Sequence, residues 1–178
     1  MRILQGKWRG RAIPFPAGTP TRPLTGKARE ALFQILAHHW RLTDSCVLDL
    51  FAGSGSVGLE FLSRGAAQVV FVEVHPIAAS HLRRVVEAWA VADRAHVYEE
   101  DVLAFLRRSS TPMDFIFAGP PFRYWPKRTV AELILTRNWL KPGGCFILEH
   151  PPYEDYSDLA GFWQKRRYVT SCLSFFVA

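Results

Sequence analysis

The fold is decided by one stretch of the sequence, Val47-Leu48-Asp49-Leu50-Phe51-Ala52-Gly53-Ser54-Gly55-Ser56-Val57-Gly58. It begins as an apolar strand with one acid, passes through a glycine-rich turn and opens a helix. Gly53 and Gly55 let the backbone turn sharply and leave room for a ligand against the main chain. The amides at the start of the helix can face polar groups of that ligand. The pattern therefore predicts a nucleotide-like cofactor at the carboxyl end of the first sheet strand.

The glycine spacing alone fits two kinds of cofactor. Gly53, Gly55 and Gly58 also satisfy the dinucleotide fingerprint, and Glu73 follows at the ~20-residue distance that the fingerprint expects. Asp49 favours the other kind, because a carboxylate repels a pyrophosphate but attracts an amine or a sulfonium. Residues 49–55 resemble the first motif of S-adenosylmethionine-dependent methyltransferases. A nicotinamide-dependent dehydrogenase is the competing interpretation.

Composition indicates one ordinary globular domain. The chain has 178 residues, of which 49% are hydrophobic and 21% charged. No apolar run approaches the ~20 residues of a membrane span, and the N-terminus lacks the apolar core of a signal peptide. Cys46, Cys145 and Cys172 are far apart in apolar runs, which favours free thiols in a reducing cytoplasm. The histidines show no metal-ligand spacing, so we expect no metal.

Positive charge is concentrated at the N-terminus. The net charge is +7 over residues 1–41 and −1 over the remaining residues. A clustered basic segment with Trp8 and Phe15 between its charges is typical of polyanion binding. The alternative is a solvated basic tail. We therefore expect one domain over 1–178, with a basic N-terminal arm and helix at 1–41 and a core at 42–178.

Strand and helix patterns alternate along the core. Prolines and alternating residues predict an extended or hairpin-like arm over 1–24, and an apolar stripe predicts a helix over 26–40. A closing β-hairpin is predicted at 168–170 and 173–177. Repeated βα units indicate an α/β fold with a doubly wound, mostly parallel, Rossmann-like sheet. The remaining predicted strands are 46–50, 68–74, 95–98, 115–117 and 145–149, and the remaining helices are 57–64, 76–90, 102–108 and 130–138.

Acids follow the predicted strands where such sheets bind ligands. Glu73 ends the second strand, where its carboxylate can accept hydrogen bonds from both hydroxyls of a ribose. Asp101 follows the third strand, where it can accept a hydrogen bond from the exocyclic amine of adenine. Val102 can add backbone and apolar contacts to the same base. Two alternatives stay open at this position. Asp101 can simply cap the next helix, and Glu100 can compete for the binding role.

The fourth strand ends in Ala118-Gly119-Pro120-Pro121-Phe122. Two prolines and an aromatic residue form a stiff loop beside the reactive end of the cofactor. The carbonyl of Pro120 can accept a hydrogen bond from an amine, and Phe122 can stack on a planar base, an interaction worth ~1–3 kcal/mol. The alternative is a Pro-Pro turn with Phe122 filling the core.

Taken together, these motifs resemble the bacterial RsmD family, which methylates the exocyclic amine of a guanine in small-subunit ribosomal RNA. The resemblance covers nearly the whole chain, and its N-terminal segments are the specific ones. It is carried by residues 2–11, 22–25, 29–33, 49–58, 120–122 and 173–176.

The resemblance implies a role for each candidate residue. Neither a metal nor a covalent intermediate is needed, and we expect a monomer. S-adenosylmethionine would be held through Asp49, Phe51, Gly53, Gly55, Glu73, Asp101 and Val102. The target base would lie against Gly119, Pro120, Pro121 and Phe122. The ribosomal RNA, free or within the small ribosomal subunit, would contact Lys7, Arg9, Arg11, Arg22, Lys27 and Arg29.

One departure from the family is serious. Gly119 stands where the family has an acid or amide, which would accept a hydrogen bond from the target amine. Groups that position substrates and handle protons commonly contribute ~10²–10⁴-fold to the rate, so activity could be much reduced. No neighbouring residue in the sequence is an obvious substitute; Asp114 lies at the wrong end of the strand. A catalytically weakened or inactive RNA-binding homologue is therefore an alternative. A base-amine DNA methyltransferase is a further, less favoured alternative, which only the family resemblance disfavours.

Overall fold

The computed structural model of the chain describes residues 1–19, 23–108 and 110–178. Residues 1–19, the N-terminal arm, form a hairpin-like segment in which Arg2 and Ala12 make an antiparallel bridge. The amide of Ile3 donates to the carbonyl of Arg11 at 3.0 Å, and the amide of Gly10 donates to Ile3 at 2.9 Å. The hairpin-like arm predicted from the sequence is therefore confirmed over these residues.

A seven-stranded sheet with helices on both faces forms the core. The strand order is β3-β2-β1-β4-β5-β7-β6. Strands β1 to β5 are parallel, and β7 is antiparallel to both of its neighbours. The doubly wound, mostly parallel fold is therefore confirmed. Its helices are α1 Gly26–His39, α2 Ser56–Ser63, α3 Pro76–Ala88, α4 Val102–Arg107 and α5 Lys127–Thr136; its strands are β1 Cys46–Leu50, β2 Gln68–Val72, β3 Ala95–Tyr98, β4 Met113–Ala118, β5 Leu140–His150, β6 Phe162–Arg167 and β7 Cys172–Val177.

The core has two layers because side chains alternate between the two faces of each strand. One apolar cluster joins α1, α2 and α3 to the sheet face that carries Val47 and Phe115. The other joins α4 and α5 to the opposite face, which carries Leu48 and Ile116. Among the described residues, none of the helices combines the length and apolarity that a membrane span needs.

The prediction of the C-terminal hairpin is half wrong. Residues 172–177 form β7 as expected, but its partner is β6, Phe162–Arg167, and 168–170 lie in the turn between them. The strand pattern of β6 was missed because this basic edge strand is mostly exposed and has no continuous apolar run. Strand β7 lies between β5 and β6, and its Phe175 and Phe176 are fully buried.

Helix α5 and strand β5 both begin earlier than predicted. Helix α5 starts at Lys127 rather than at 130, directly after Pro126, which lies at its N-cap. Strand β5 starts at Leu140, and its register against β4 shifts between Met113 and Phe115. The predicted Pro-Gly-Gly turn is thus an irregularity inside the strand, which a local turn pattern does not distinguish from a loop.

The N-terminal arm is fixed to α2 by Glu60, a fully buried acid. Its carboxylate accepts hydrogen bonds from the amides of Leu4 at 2.8 Å and Gln5 at 3.0 Å, and from Arg64 Nε at 2.8 Å. Gly6 completes the contact. With φ of +87°, it lies so close to α2 that an added Cβ would be 1.9 Å from the carbonyl oxygen of Ser63. Only glycine fits there.

Arg29 is a correction to the predicted RNA-binding set. Its side chain is 2% exposed, with Nη1 3.9 Å from Glu60 Oε2 and a further hydrogen bond donated to the carbonyl of Arg2. A guanidinium held in this position cannot reach RNA phosphates. The other described members of the set, Lys7, Arg9, Arg11 and Lys27, are exposed. Arg22 lies outside the described residues.

Candidate active site

Two acids reach the same face of the sheet because side chains alternate along the strands. Asp49 of β1 lies beside Phe71 of β2 and Phe117 of β4 in the parallel register. Glu73 is two residues beyond Phe71 and therefore projects from the same face, at the carboxyl edge. The two carboxyls thus stand on neighbouring strands at the edge where such sheets bind ligands.

A third acid extends this row on the other side of β4. Phe117 pairs with Ile147 of β5, and Gly119 and Glu149 each lie two residues further along. Glu149 is 6% exposed. The row therefore brings the carboxyl of Glu149 beside the glycine that follows β4.

A cavity of about 430 Å³ lies over this edge of the sheet. This volume is in the range of ~300–1,000 Å³ that is usual for small-molecule sites. The N-terminal segment closes one side of the cavity, because Phe15, Pro23 and Leu24 contribute to its wall. The predicted site residues among its lining are Asp49, Phe51, Gly53, Glu73, Gly119, Pro120, Pro121 and Phe122.

Asp49 is a buried acid that bonds to the first turn of α2. Its Oδ2 accepts a hydrogen bond from the amide of Gly58 at 2.9 Å. Burial raises the pKa of Asp49 to about 8; the bond from Gly58 opposes this shift, and the nearby charge of Glu73 adds to it. The carboxyl is therefore poised to release its proton when a positive group enters the cavity.

Glu73 connects the turn to the end of β2. Its Oε2 accepts from the amide of Gly53 and its Oε1 from the amide of His75, both at 2.8 Å. Each carboxylate oxygen has a second lone pair, so hydroxyl donors of a ligand can still bind. Between the two acids, Phe51 has φ of +58°. Such a backbone costs ~1–3 kcal/mol in a non-glycine residue and is typical of ligand-binding loops.

Gly55 and Gly58 have a packing role. An added Cβ at Gly55 would lie 2.6 Å from Leu82 Cδ1, and one at Gly58 would lie 2.3 Å from Phe71 Cε1. These glycines let the turn and α2 approach α3 and β2 closely. Gly55 is not among the described residues that line the cavity, so its predicted cofactor contact stays a prediction.

Asp101 lies where the sequence left two alternatives. It is exposed and caps α4, since its Oδ1 accepts from the amide of Ala104 at 3.0 Å. Glu100 is paired with Arg108 at 2.6 Å. Neither Asp101 nor Val102 is among the described residues that line the cavity. The capping alternative is thus confirmed, and their contact with adenine stays a prediction.

The Pro-Pro-Phe loop, residues 120–122, is held by a buried lysine that the sequence analysis did not identify. Lys127 Nζ donates to the carbonyls of Phe122 at 2.7 Å and Tyr124 at 2.8 Å. Its charge is balanced by Glu154 Oε1 at 3.1 Å. The lysine is 3% exposed. It therefore fixes the backbone of the loop whose side chains line the cavity.

The structure places beside Gly119 an acid that the sequence analysis did not consider as a substitute for the missing side chain. A Cβ built on Gly119 would lie 3.4 Å from Glu149 Oε2 and 3.0 Å from Phe117 Cε1. A carboxylate thus occupies the space beside the glycine, supplied by the next strand of the sheet. The sequence carried one indication of this, since Glu149 is the last residue of the predicted fifth strand.

The residues of the cavity fit S-adenosylmethionine. The described lining has three carboxyls, Asp49, Glu73 and Glu149, against one guanidinium, that of Arg123. Such an acidic lining favours a ligand with an amine and a sulfonium over a pyrophosphate. The dehydrogenase interpretation therefore loses its support.

The comparisons with known proteins agree with this geometry. The family model described as "Conserved hypothetical protein 95" matches residues 1–177. The Ribosomal RNA small subunit methyltransferase D of Escherichia coli is 33% identical over 167 residues, covering 94% of this chain and 83% of its own. The chain belongs to the RsmD family.

Solved structures show that this RsmD-family chain shares its fold with methyltransferases. A putative methyltransferase from Escherichia coli, yhhF, has a TM-score of 0.87 at 29% identity, covering 99% of this chain and 97% of that one. The 16S rRNA N2 methyltransferase RsmC of Thermus thermophilus, in complex with AdoMet and guanosine, has a TM-score of 0.70 at 25% identity. That match covers 96% of this chain and 46% of RsmC. The RsmD-family chain is therefore an S-adenosylmethionine-dependent methyltransferase.

Proposed function

We propose that this enzyme transfers a methyl group from S-adenosylmethionine to the exocyclic amine of a guanine in small-subunit ribosomal RNA. The observation that carries the proposal is the cavity itself, in which buried strand-end acids face a rigid Pro-Pro-Phe loop. The names of its relatives support ribosomal RNA as the substrate. The guanosine bound to RsmC supports guanine as the base.

The cofactor brings an activated methyl group, so the protein has mainly to bind and orient the two reactants. Asp49 and Glu73 hold the cofactor through its positive groups and its ribose hydroxyls. Phe122 stacks on the guanine, which leaves its own stack to enter the cavity. The carbonyl of Pro120 accepts one hydrogen from the amine and so helps to direct its lone pair.

RNA outside the cavity binds to the N-terminal arm. Lys7 is fixed at the C-terminal end of α2, because its amide donates to Ser63 at 2.8 Å. The cavity lies at the other end of this eight-residue helix, about 12 Å away. Lys7, Arg9 and Arg11 can therefore contact phosphates while the base occupies the cavity. Such contacts add affinity with little sequence preference.

The experiment is transfer of labelled methyl from S-adenosylmethionine to ribosomal RNA and small subunits from cells that lack this protein. Calorimetry on the same preparation measures cofactor binding. Label at a guanine exocyclic amine is the expected result. Gly119 favours a second candidate, an RNA-binding homologue with weakened catalysis. Cofactor binding without transfer would contradict the first proposal and support the second.

A further inference from the structure

We infer that Glu149 is a catalytic residue, whose carboxylate replaces the acid or amide missing at Gly119 and accepts a hydrogen from the target amine. This inference rests on the proposed function. It deepens that proposal by naming the group that holds the amine. The observation behind it is the 3.4 Å between Glu149 Oε2 and a Cβ built on Gly119.

The backbone beneath Glu149 is fixed on both sides. Its neighbour Leu148 pairs with Ala118 of β4, and Glu149 itself pairs with Leu173 of β7. A catalytic carboxylate on a central strand is better held than one on a loop. The side chain is also 94% buried yet lines the cavity, so it faces the space where the substrate enters.

The glycine makes room for this carboxylate. A Cβ at position 119 would lie 3.0 Å from Phe117 Cε1 and 3.4 Å from Glu149 Oε2, so any larger side chain there would crowd both residues. An acid at 119 would also place two carboxylates side by side, which raises the pKa of one of them. A glycine at 119 and an acid at 149 are therefore complementary, and the glycine need not mean lost catalysis.

The transfer needs an acceptor for one proton. The amine nitrogen bonds to the methyl carbon, the electron pair of the broken carbon–sulfur bond stays on sulfur, and one amine hydrogen leaves as a proton. Glu149 first orients the amine by accepting this hydrogen in a hydrogen bond. It then takes the proton and passes it to water, so that no further reactant is required.

Removal of the carboxylate is the direct test. We expect Glu149→Ala to lower methyl transfer by about 10²-fold or more, and to lower the calorimetric affinity for S-adenosylmethionine by much less than this. The near-isosteric Glu149→Gln keeps an accepting oxygen but takes no proton, so its rate of transfer should lie between those of wild type and Glu149→Ala. Because it preserves the size of the side chain, it separates loss of the carboxylate from a packing defect. The control is Glu132→Ala, which removes an exposed acid paired with Arg128 and should transfer at the wild-type rate.

A second measurement does not depend on turnover. We expect the complex with S-adenosylhomocysteine to lose about tenfold or more of its affinity for guanosine in Glu149→Ala, because a hydrogen-bond acceptor for the amine is removed. Gly119→Asp should lower transfer, while Gly119→Asp combined with Glu149→Ala should recover at least part of what Glu149→Ala loses.

The outcomes separate this inference from the proposed function. Wild-type transfer with equal rates in Glu149→Ala and wild type would overturn the inference alone. A higher rate in Gly119→Asp than in wild type would also overturn it, since the missing acid would then be a true defect. A wild-type protein that binds cofactor and transfers nothing would overturn the proposed function and the inference with it.

Discussion

The carboxylate of Glu60 accepts the amide hydrogen of Leu4 at 2.8 Å, across 56 positions of the sequence. Through this bond a helix of the core holds the N-terminal arm. The same carboxylate lies 3.9 Å from the buried guanidinium of Arg29. Removing Glu60 leaves the guanidinium of Arg29 buried without its acid, whereas removing Arg29 leaves Glu60 paired with Arg64.

We expect Glu60→Ala to lower the free energy of unfolding by about 3–5 kcal/mol. Arg29→Ala should cost less, because Arg64 still pairs with Glu60. The folded Arg29→Ala protein should lose no phosphate contact with RNA, since the guanidinium is buried. Urea unfolding measures the change, with the exposed Arg9→Ala as a control that should stay within about 0.5 kcal/mol of wild type. Equal stability of Arg29→Ala and Arg9→Ala would contradict the buried pairing.

Gly6 and Gly10 form a matched pair for testing the attachment of the arm. Both have positive φ, +87° and +81°, but only Gly6 faces a close neighbour, since nothing lies within 4 Å of a Cβ on Gly10. Gly10→Ala should cost about 1–2 kcal/mol through backbone strain alone. Gly6→Ala should cost more and expose the arm to limited proteolysis. Identical digestion of the two variants would show that the arm does not dock as described.

The raised pKa of Asp49 makes stability depend on pH. Between its ordinary value of 3.8 and about 8, the folded protein without ligand holds a proton that the unfolded chain has released. The free energy of unfolding therefore falls as pH rises through this interval. Asp49→Asn should lose less stability than wild type between pH 5 and pH 8 in urea unfolding. A steeper loss in the variant would refute the assignment.

Cofactor binding should also release the proton of Asp49, because a positive ligand lowers its pKa. At pH 7 we expect close to one proton per bound S-adenosylmethionine. Calorimetry in two buffers with different ionisation enthalpies counts this proton. Asp49→Asn should release none from this site.

Lys127 should affect catalysis through the loop that it holds. Lys127→Met removes the hydrogen bonds to Phe122 and Tyr124, and a displacement near 1 Å of reacting groups can cost about 10²-fold in rate. We expect a lower kcat with unchanged affinity for S-adenosylmethionine. Arg128→Ala, which removes the neighbouring exposed cation, is the control and should behave as wild type. A fall in cofactor affinity as large as the fall in kcat would indicate a wider disruption.

The exposed bases of the arm should determine the salt dependence of RNA binding. Each of Lys7→Ala and Arg9→Ala is expected to reduce the slope of log affinity against log salt by about 1. Arg137→Ala, which removes an exposed base at the end of α5, should leave the slope unchanged. Titrations of ribosomal RNA at several salt concentrations give the slopes. Equal slopes for all three variants would leave the arm without a role in binding phosphate.

Local sequence patterns predicted the part of the site that lies in one continuous segment of the chain. Residues 49–58 could be interpreted because the strand, turn and helix follow one another directly. Glu149 was missed because it meets Gly119 only through the pairing of β4 with β5, thirty positions apart. Lys127 was missed for a related reason, since its partners are carbonyls, which leave no trace in side-chain patterns.

The burial of Arg29 could have been predicted from its position on α1, although its charge suggested exposure. It lies three and four positions before Leu32 and Phe33, and therefore on the buried stripe of α1. Helical periodicity predicts its burial, whereas net charge alone assigns it to the surface. The prediction from charge was wrong because a basic residue within an apolar stripe pairs with a buried acid.

The position of β7 has a consequence for how the protein is made. The strand inserts between β5 and β6, and it carries the fully buried Phe175 and Phe176. During synthesis, β6 therefore has no neighbour in the sheet until residues 172–177 have left the ribosomal exit tunnel. Until then the apolar edge of β5 stays open to other chains, a state that favours aggregation. Nascent chains stopped before Cys172 should accordingly depend on chaperones.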